Sequence, residues 1–317
     1  MSPPKWCAAA VVTLPAVLLC IVSSDMSLQR WLSPCARTNA PPAVVDGTIA
    51  TVLASAANAS DLGPRVLSTD PWILIFDRFA SDEECDALVE RVMHQPSPDF
   101  VESQIVHAGG TSVRSSSSLW CDHPNCYDSV IVTTLMRRLS RLANTSTSNA
   151  ELLQLLRYDV GQEYQLHHDY NCGDAGAAGA RAYSFVLFLS TPSAGGELHF
   201  ADLDLHVTPA RGAAVLWPSL MNEDVRLPEL LTHHASRPVL AGQKLAAVTW
   251  IRQYDYRTPA VERRCSMDRV NGAPPSRPLE VLPHYLAARE AAGLEARVPP
   301  ALLSKIAMAT GSRRQDS

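Results

Sequence analysis

The chain has 317 residues, of which 46% are hydrophobic and 19% charged, the balance of a globular protein that can bury a core. Its net charge of -5, with no basic stripe interleaved with aromatics, excludes a general nucleic-acid surface. No internal repeat points to a solenoid or propeller.

Residues 6–22 read WCAAAVVTLPAVLLCIV, an uncharged run between the length of a signal-peptide core and that of the shortest membrane span. Residues 1–24 are therefore expected to be a cleaved signal peptide or an uncleaved signal anchor. Either form places the rest of the chain in the lumen of the endoplasmic reticulum and secretory pathway, and the anchor form makes a single-pass type II membrane protein. The membrane is contacted only through this segment. Eight cysteines suit an oxidising compartment. Asn58 and Asn144 stand in glycosylation acceptor patterns.

Residues 25–65 mix Ala, Pro, Ser and Thr without a sustained period and read as a linker or stalk. The fold is expected to begin at PWILIFDRF, a short apolar strand. SDEECDALVERVM follows as a helix, with Ser81 and Glu84 forming a capping box and Cys85, Leu88, Val89 and Val92 on one face. A second helix is predicted over 127–144. From Leu152 onward come seven short runs punctuated by Gly, Pro, Asp and Ser, which predict an antiparallel sandwich or barrel rather than βαβ units. Helices first and strands after make an α+β domain over residues 66–256. The tail, 257–317, carries two possible short helices near 281–293 and 300–309, with loose packing or disorder, and no motif.

The chemistry is sought in QEYQLHHDYN. If EYQLHHDY is a strand, side chains alternate, so His167 and Asp169 share one face and His168 points to the other. A His-x-Asp pair alone is a weak signal, since a polar strand edge also produces it. A third ligand is available from THHASRPVLAGQKLAAVTWI, where His233 and His234 precede Lys244. Two imidazole nitrogens and one carboxylate suit non-haem Fe(II), with zinc as the competing metal. CDHPNC, 121–126, reads either as part of a zinc knuckle with His123 or as a local disulfide between Cys121 and Cys126, which an oxidising lumen favours. Cys85 is expected to be a packed thiol.

RYDVGQEYQLHHDY followed by HASRPVLAGQKLAAVTWI resembles the Fe(II)/2-oxoglutarate dioxygenases of the prolyl 4-hydroxylase (alpha subunit-like) family. The likeness extends through DPWILIFDRFASDEECDALV, SVRSSSS and SFVLFLSTPSAGGELHF, covering about residues 66–256. It implies a double-stranded β-helix (jelly-roll) core with supporting N-terminal helices. It implies His167, Asp169 and His234 as iron ligands; His234 is selected over His233 because it stands four residues before Pro238 and ten before Lys244. Lys244 and Tyr158 would hold the distal carboxylate of 2-oxoglutarate, and Tyr164, Arg181 and Trp250 would line a peptide groove. The implied activity is procollagen-proline 4-dioxygenase-like: O2 is consumed, a proline-containing polypeptide is hydroxylated at C4, and succinate and CO2 are released, with L-ascorbate keeping the iron reduced. The alternatives are a related dioxygenase acting on another residue or a small molecule, or a catalytically silent binding module. Leu198 stands where the family has Thr, Arg252 where a His is frequent, and the Asp169-to-His234 interval is short. The oligomeric state is not readable from the sequence.

Overall fold

The computed structural model describes residues 40–94, 100–103, 114–170, 177–258, 278–300 and 302–303. The segment 1–24 and Cys35, Cys172 and Cys265 lie outside them. Among the described residues no helix is long and apolar enough to cross a membrane.

Strand β1 (Pro64–Thr69) turns back on β2 (Trp72–Phe76), whose WILIF sequence is of the β-branched and aromatic type that packs well on a pleated surface. Both faces of β2 are covered. Leu74 and Phe76 join the core under the helices, whereas Ile73 and Ile75 join a second core between the sheets. Each such fully buried side chain is worth about 1.5–3 kcal/mol.

The helical layer consists of α1 (Thr48–Ala56), α2 (Asp82–Met93), α3 (Pro124–Tyr127) and α4 (Val130–Leu142). Both halves of the expected capping box are present on α2: Glu84 N–H donates to Ser81 Oγ, and Ser81 N–H donates to the Glu84 carboxylate. The single helix expected over 127–144 is broken at Asp128–Ser129, because Ser129 caps a new helix by accepting from Val132 N–H. α4 then buries Val132, Leu135, Met136 and Leu139, a stripe at helical spacing.

Part of the expected linker is not a linker. α1 buries Ile49, Leu53 and Ala56 against the helical core, so its Ala-rich composition packs where the sequence reading saw no period. The folded unit thus begins upstream of residue 66.

Two sheets form the body. The larger has eight strands in the order β1-β2-β11-β7-β14-β5-β4-β3; the smaller has four, β10-β9-β12-β6. The added ranges are β3 (Val101–Glu102), β4 (Ser117–Trp120), β5 (Gln154–Tyr158), β6 (Tyr164–His167), β7 (Arg181–Phe188), β9 (Leu198–Phe200), β10 (Leu205–Val207), β11 (Ala214–Pro218), β12 (His234–Ser236) and β14 (Lys244–Arg252). A two-stranded ribbon pairs β8 (Ala194–Gly195) with β13 (Val239–Ala241). Helix layer, large sheet and small sheet stack in that order, a mixed fold with an antiparallel jelly-roll core.

Among the described residues of the tail, 278–300 and 302–303, a helix packs on the body rather than loosely beside it. In α5 (Pro278–Ala291), Tyr285 is fully buried with Met221, Leu230, Leu231 and Leu302. Its hydroxyl donates to Glu229 Oε1 at 2.6 Å, and Arg289 pairs with Asp70 at 2.5 Å.

Candidate metal centre

The first two candidate ligands are positioned by register. His234 on β12 lies directly opposite His167 on β6, so the two imidazoles leave the small sheet on the same face, 4.3 Å apart between ring centres. Asp169 joins them by a turn rather than by strand alternation. β6 ends at His167, because the His168 ring folds back to accept from Tyr170 N–H at 3.0 Å. The turn still brings Asp169 Oδ1 to 3.7 Å from His167 Nε2 and Oδ2 to 3.5 Å from His234 Nε2.

Each ring has its tautomer fixed from behind. His167 Nδ1 is 2.8 Å from the Gln165 carbonyl, and His234 Nδ1 is 3.0 Å from the Thr232 carbonyl. A carbonyl only accepts, so both Nδ1 atoms carry a proton, and both Nε2 atoms face Asp169. Burial, then the neighbouring His234, pushes His167 down to about 3, so it is neutral near pH 7. Burial acts to raise the Asp169 carboxyl, but the two imidazoles, Arg181 and a Trp250 indole hydrogen bond outweigh it and hold it well below the ordinary range. Two imidazoles and one carboxylate are donors that suit a divalent metal, and the set fits non-haem Fe(II) as well as zinc.

The surroundings hold this geometry. Tyr164 stacks on His167 at 3.6 Å, and Trp217 meets His234 edge-on at 4.9 Å. Arg181 lies over Trp250, 3.6 Å from the ring centre, and is bound through two nitrogens to the buried Glu151 carboxylate. Arg252 donates to the same carboxylate at 2.6 Å. Against strong burial, these two guanidiniums keep Glu151 ionised. Arg181, expected at a peptide groove, is thus committed to an ion pair and does not line the central cavity, whereas Tyr164 and Trp250 do.

That cavity, about 50 Å³ and open to solvent, lies between the sheets. The triad stands on one side. Lys244, only 3% exposed, stands on the other, where register pairs it with Tyr158. Its ammonium donates to Ser236 Oγ and to the Gly196 carbonyl, both at 2.7 Å, and sits 5.1 Å from the Tyr158 ring centre. Burial pushes Lys244 down to about 7. Burial also raises Tyr158, against which Arg114 and hydrogen bonds with Ser116 and Ser236 act. The Gly195–Gly196 turn admits no side chain on its first residue: φ is +75°, and a Cβ would collide with the Pro238 carbonyl oxygen. This close approach seats the carbonyl that receives Lys244.

The other singled-out residues sit elsewhere. His168 Nε2 is 2.7 Å from the Glu229 carbonyl, facing away from Asp169, and His233 Nδ1 contacts Leu230 O and Asp202. Cys121 and Cys126 form a disulfide, and Cys85 is a buried free thiol. Asn58 and Asn144 are exposed. Leu198 lines the cavity. Ser236 and Glu151 were missed in the sequence: neither has a motif, and only the small step from His234 to Ser236 along one strand could have pointed to the former.

The 2OG-Fe(II) oxygenase superfamily matches over residues 153–252, the span that carries every residue of the triad and Lys244. The chain is 30% identical over 208 residues to Prolyl 4-hydroxylase 1 of Arabidopsis thaliana, covering 60% of this chain and 72% of that protein. It is 31% identical over 211 residues to Prolyl 4-hydroxylase subunit alpha-1 of Gallus gallus, covering 62% of this chain but only 40% of the subunit. Among solved structures, a viral collagen prolyl hydroxylase from Paramecium Bursaria Chlorella virus-1 shares 26% identity, with a TM-score of 0.45 over 57% of this chain and 95% of that one.

Proposed function

The chain belongs to the prolyl 4-hydroxylase family of 2-oxoglutarate- and Fe(II)-dependent dioxygenases, and on that premise we propose that it hydroxylates peptidyl proline at C4 in the lumen of the secretory pathway. One observation carries the reading. A His–Asp–His donor set and a buried lysine face each other across one cavity, the arrangement that a metal-chelating dicarboxylate requires.

His167, Asp169 and His234 would hold Fe(II). When bound, the iron supplies the redox chemistry that couples oxidative decarboxylation of 2-oxoglutarate to insertion of one oxygen atom of O2 into a C–H bond. Succinate and CO2 leave, carrying the other oxygen atom. The remaining work belongs to this chain's own side chains. Lys244 pairs with the distal carboxylate, taking up a proton as the dianion enters, and the Tyr158 hydroxyl donates to the same group. Such a charge-assisted contact contributes about 1.5–3 kcal/mol. Trp250 fixes the Asp169 carboxylate, Tyr164 fixes the His167 ring, and both wall the mouth through which a proline side chain approaches.

The luminal setting is supported by the Cys121–Cys126 disulfide and by two exposed acceptor asparagines. L-ascorbate is assigned as the reductant that restores iron oxidised in unproductive turnovers. Leu198 in the cavity wall favours a second reading, a dioxygenase of the same chemistry with a different acceptor.

The test is anaerobic reconstitution with Fe(II) and 2-oxoglutarate, then O2 and a panel of peptides read by mass spectrometry. Proline-dependent succinate release with one oxygen added to proline is expected. His167→Ala should lose iron binding and lower turnover by about 10³-fold or more, on the order of 4 kcal/mol of transition-state stabilisation. Oxygen added to another residue selects the second reading, and full activity of His167→Ala would sink both.

A further inference from the structure

Outside the cavity, the described residues hold a second group of three metal-ligating side chains, His199, Asp204 and His206. Its origin is the β9–β10 hairpin. Leu198 and Phe200 of β9 point inward and are buried, so the residue between them, His199, must leave the opposite face of the sheet. Register places His206 of β10 directly across from it. The two rings stack with centres 4.0 Å apart and planes at 12°. Between the strands, Asp204 adopts φ +50°, a conformation that reverses the chain and returns its carboxylate to within 3.8 Å of His206 Nε2.

One ligand atom from each of the three residues lies within 4.8 Å of the others. Donors around a tetrahedral zinc ion, at bonds of about 2.0–2.1 Å, stand roughly 3.3–3.4 Å apart. The gap closes by rotation about side-chain torsions, which the exposure of His206 (50%) and Asp204 (97%) leaves free. The remaining position would be taken by water.

We propose that His199, Asp204 and His206 form a binding site for a divalent cation of borderline softness, Zn²⁺ in the first instance, on the outer face of the small sheet. The location gives the site a role. β10 is the edge strand of that sheet, and β9 is flanked on its other side by β12, where His199 pairs with Ala235, next to His234. A cation bridging His199 and His206 clips the edge strand to the one that borders the inner ligand, and covers a sheet edge otherwise held by three residue pairs.

The experiment uses the full chain, freed of metal by chelation and titrated with zinc chloride against a chromophoric chelator. Two zinc equivalents are expected for the unaltered chain, since the inner triad also accepts zinc. His167→Ala should remove one. The double variant His199→Ala/His206→Ala should remove the other, weakening it by more than about 100-fold, beyond the range for loss of a supporting residue. Asp204→Asn tests the carboxylate without disturbing the turn, because Asn tolerates the left-handed conformation; it should weaken the outer site about 10-fold. No zinc bound by His167→Ala, or an equivalent in His167→Ala that survives addition of the double substitution, overturns the proposal. Because the outer site is scored with His167 both intact and replaced, its failure is distinguishable from failure of the inner one.

Discussion

Two His–Asp–His groups stand on one four-stranded sheet, His167, Asp169 and His234 on its inner face and His199, Asp204 and His206 on its outer face. Both are built on a cross-strand histidine pair, His167 with His234 and His199 with His206. The donors are the same, but the surroundings are not. Inside, Asp169 is 8% exposed and receives the Trp250 indole, while both rings are oriented by backbone carbonyls. Outside, the rings stack on each other and the carboxylate is almost wholly in water. Donor identity alone therefore does not make a preorganised metal site: orientation by the fold does.

The comparison breaks most sharply at Glu151. Replacing it with Gln leaves the guanidiniums of Arg181 and Arg252 without their buried counter-charge, which is expected to cost about 3–5 kcal/mol in chemical denaturation and to loosen Trp250 from Asp169. A loss below about 1 kcal/mol would mean that the inner triad owes its order to something else. Lys244→Met sharpens the contrast at the other wall of the cavity. The dissociation constant for 2-oxoglutarate should rise roughly 10- to 100-fold, matching a charge-assisted pair of about 1.5–3 kcal/mol.

Lys244 also gives a pH signature. Its folded value is about 7 and its unfolded value about 10.5, so between these limits the unfolded chain binds more protons. Stability without co-substrate should then climb as pH rises from 7 to 10 on account of this residue, and Lys244→Met should flatten that part of the profile. Entry of the dianion reverses the preference, so calorimetry at about pH 8.5 in buffers of different ionisation heat should register proton uptake approaching one per site. No uptake would place the co-substrate charge elsewhere. The smallest effect belongs to the outer face: His206→Ala in metal-free protein should change stability by no more than about 0.5 kcal/mol, because the side chain is exposed and the strand pairing is made by backbone.

What was legible in the sequence was whatever is local or periodic. The capping box at Ser81 and Glu84, the alternating runs that became β5, β7, β11 and β14, and the joint spacing of His167, Asp169, His234 and Lys244 are all short-range patterns. What was not legible depends on contacts between distant segments. Glu151 meets Arg252 across 101 residues, and Ser236 meets the Lys244 ammonium only because β12 and β14 flank the same cavity. Periodicity also misled. EYQLHHDY alternates like a strand, yet the His168 ring captures Tyr170 N–H and ends β6 at His167. The Ala-rich 48–56 segment lacked a readable stripe but folds as α1, since three small or branched residues suffice once a core is there to receive them.

The C-terminal helix changes what counts as the smallest useful piece of this protein. The superfamily match stops at residue 252, and a chain cut there would look complete by every motif. It would nevertheless uncover Leu230 and Leu231 and strip Glu229 of the Tyr285 hydroxyl, five residues before the strand that begins with His234. Without that plug, an expression boundary drawn by motif would yield an aggregation-prone fragment with a softened ligand turn. Material prepared for crystals, spectroscopy or inhibitor screening should therefore run beyond Leu302, which is fully buried in that apolar cluster.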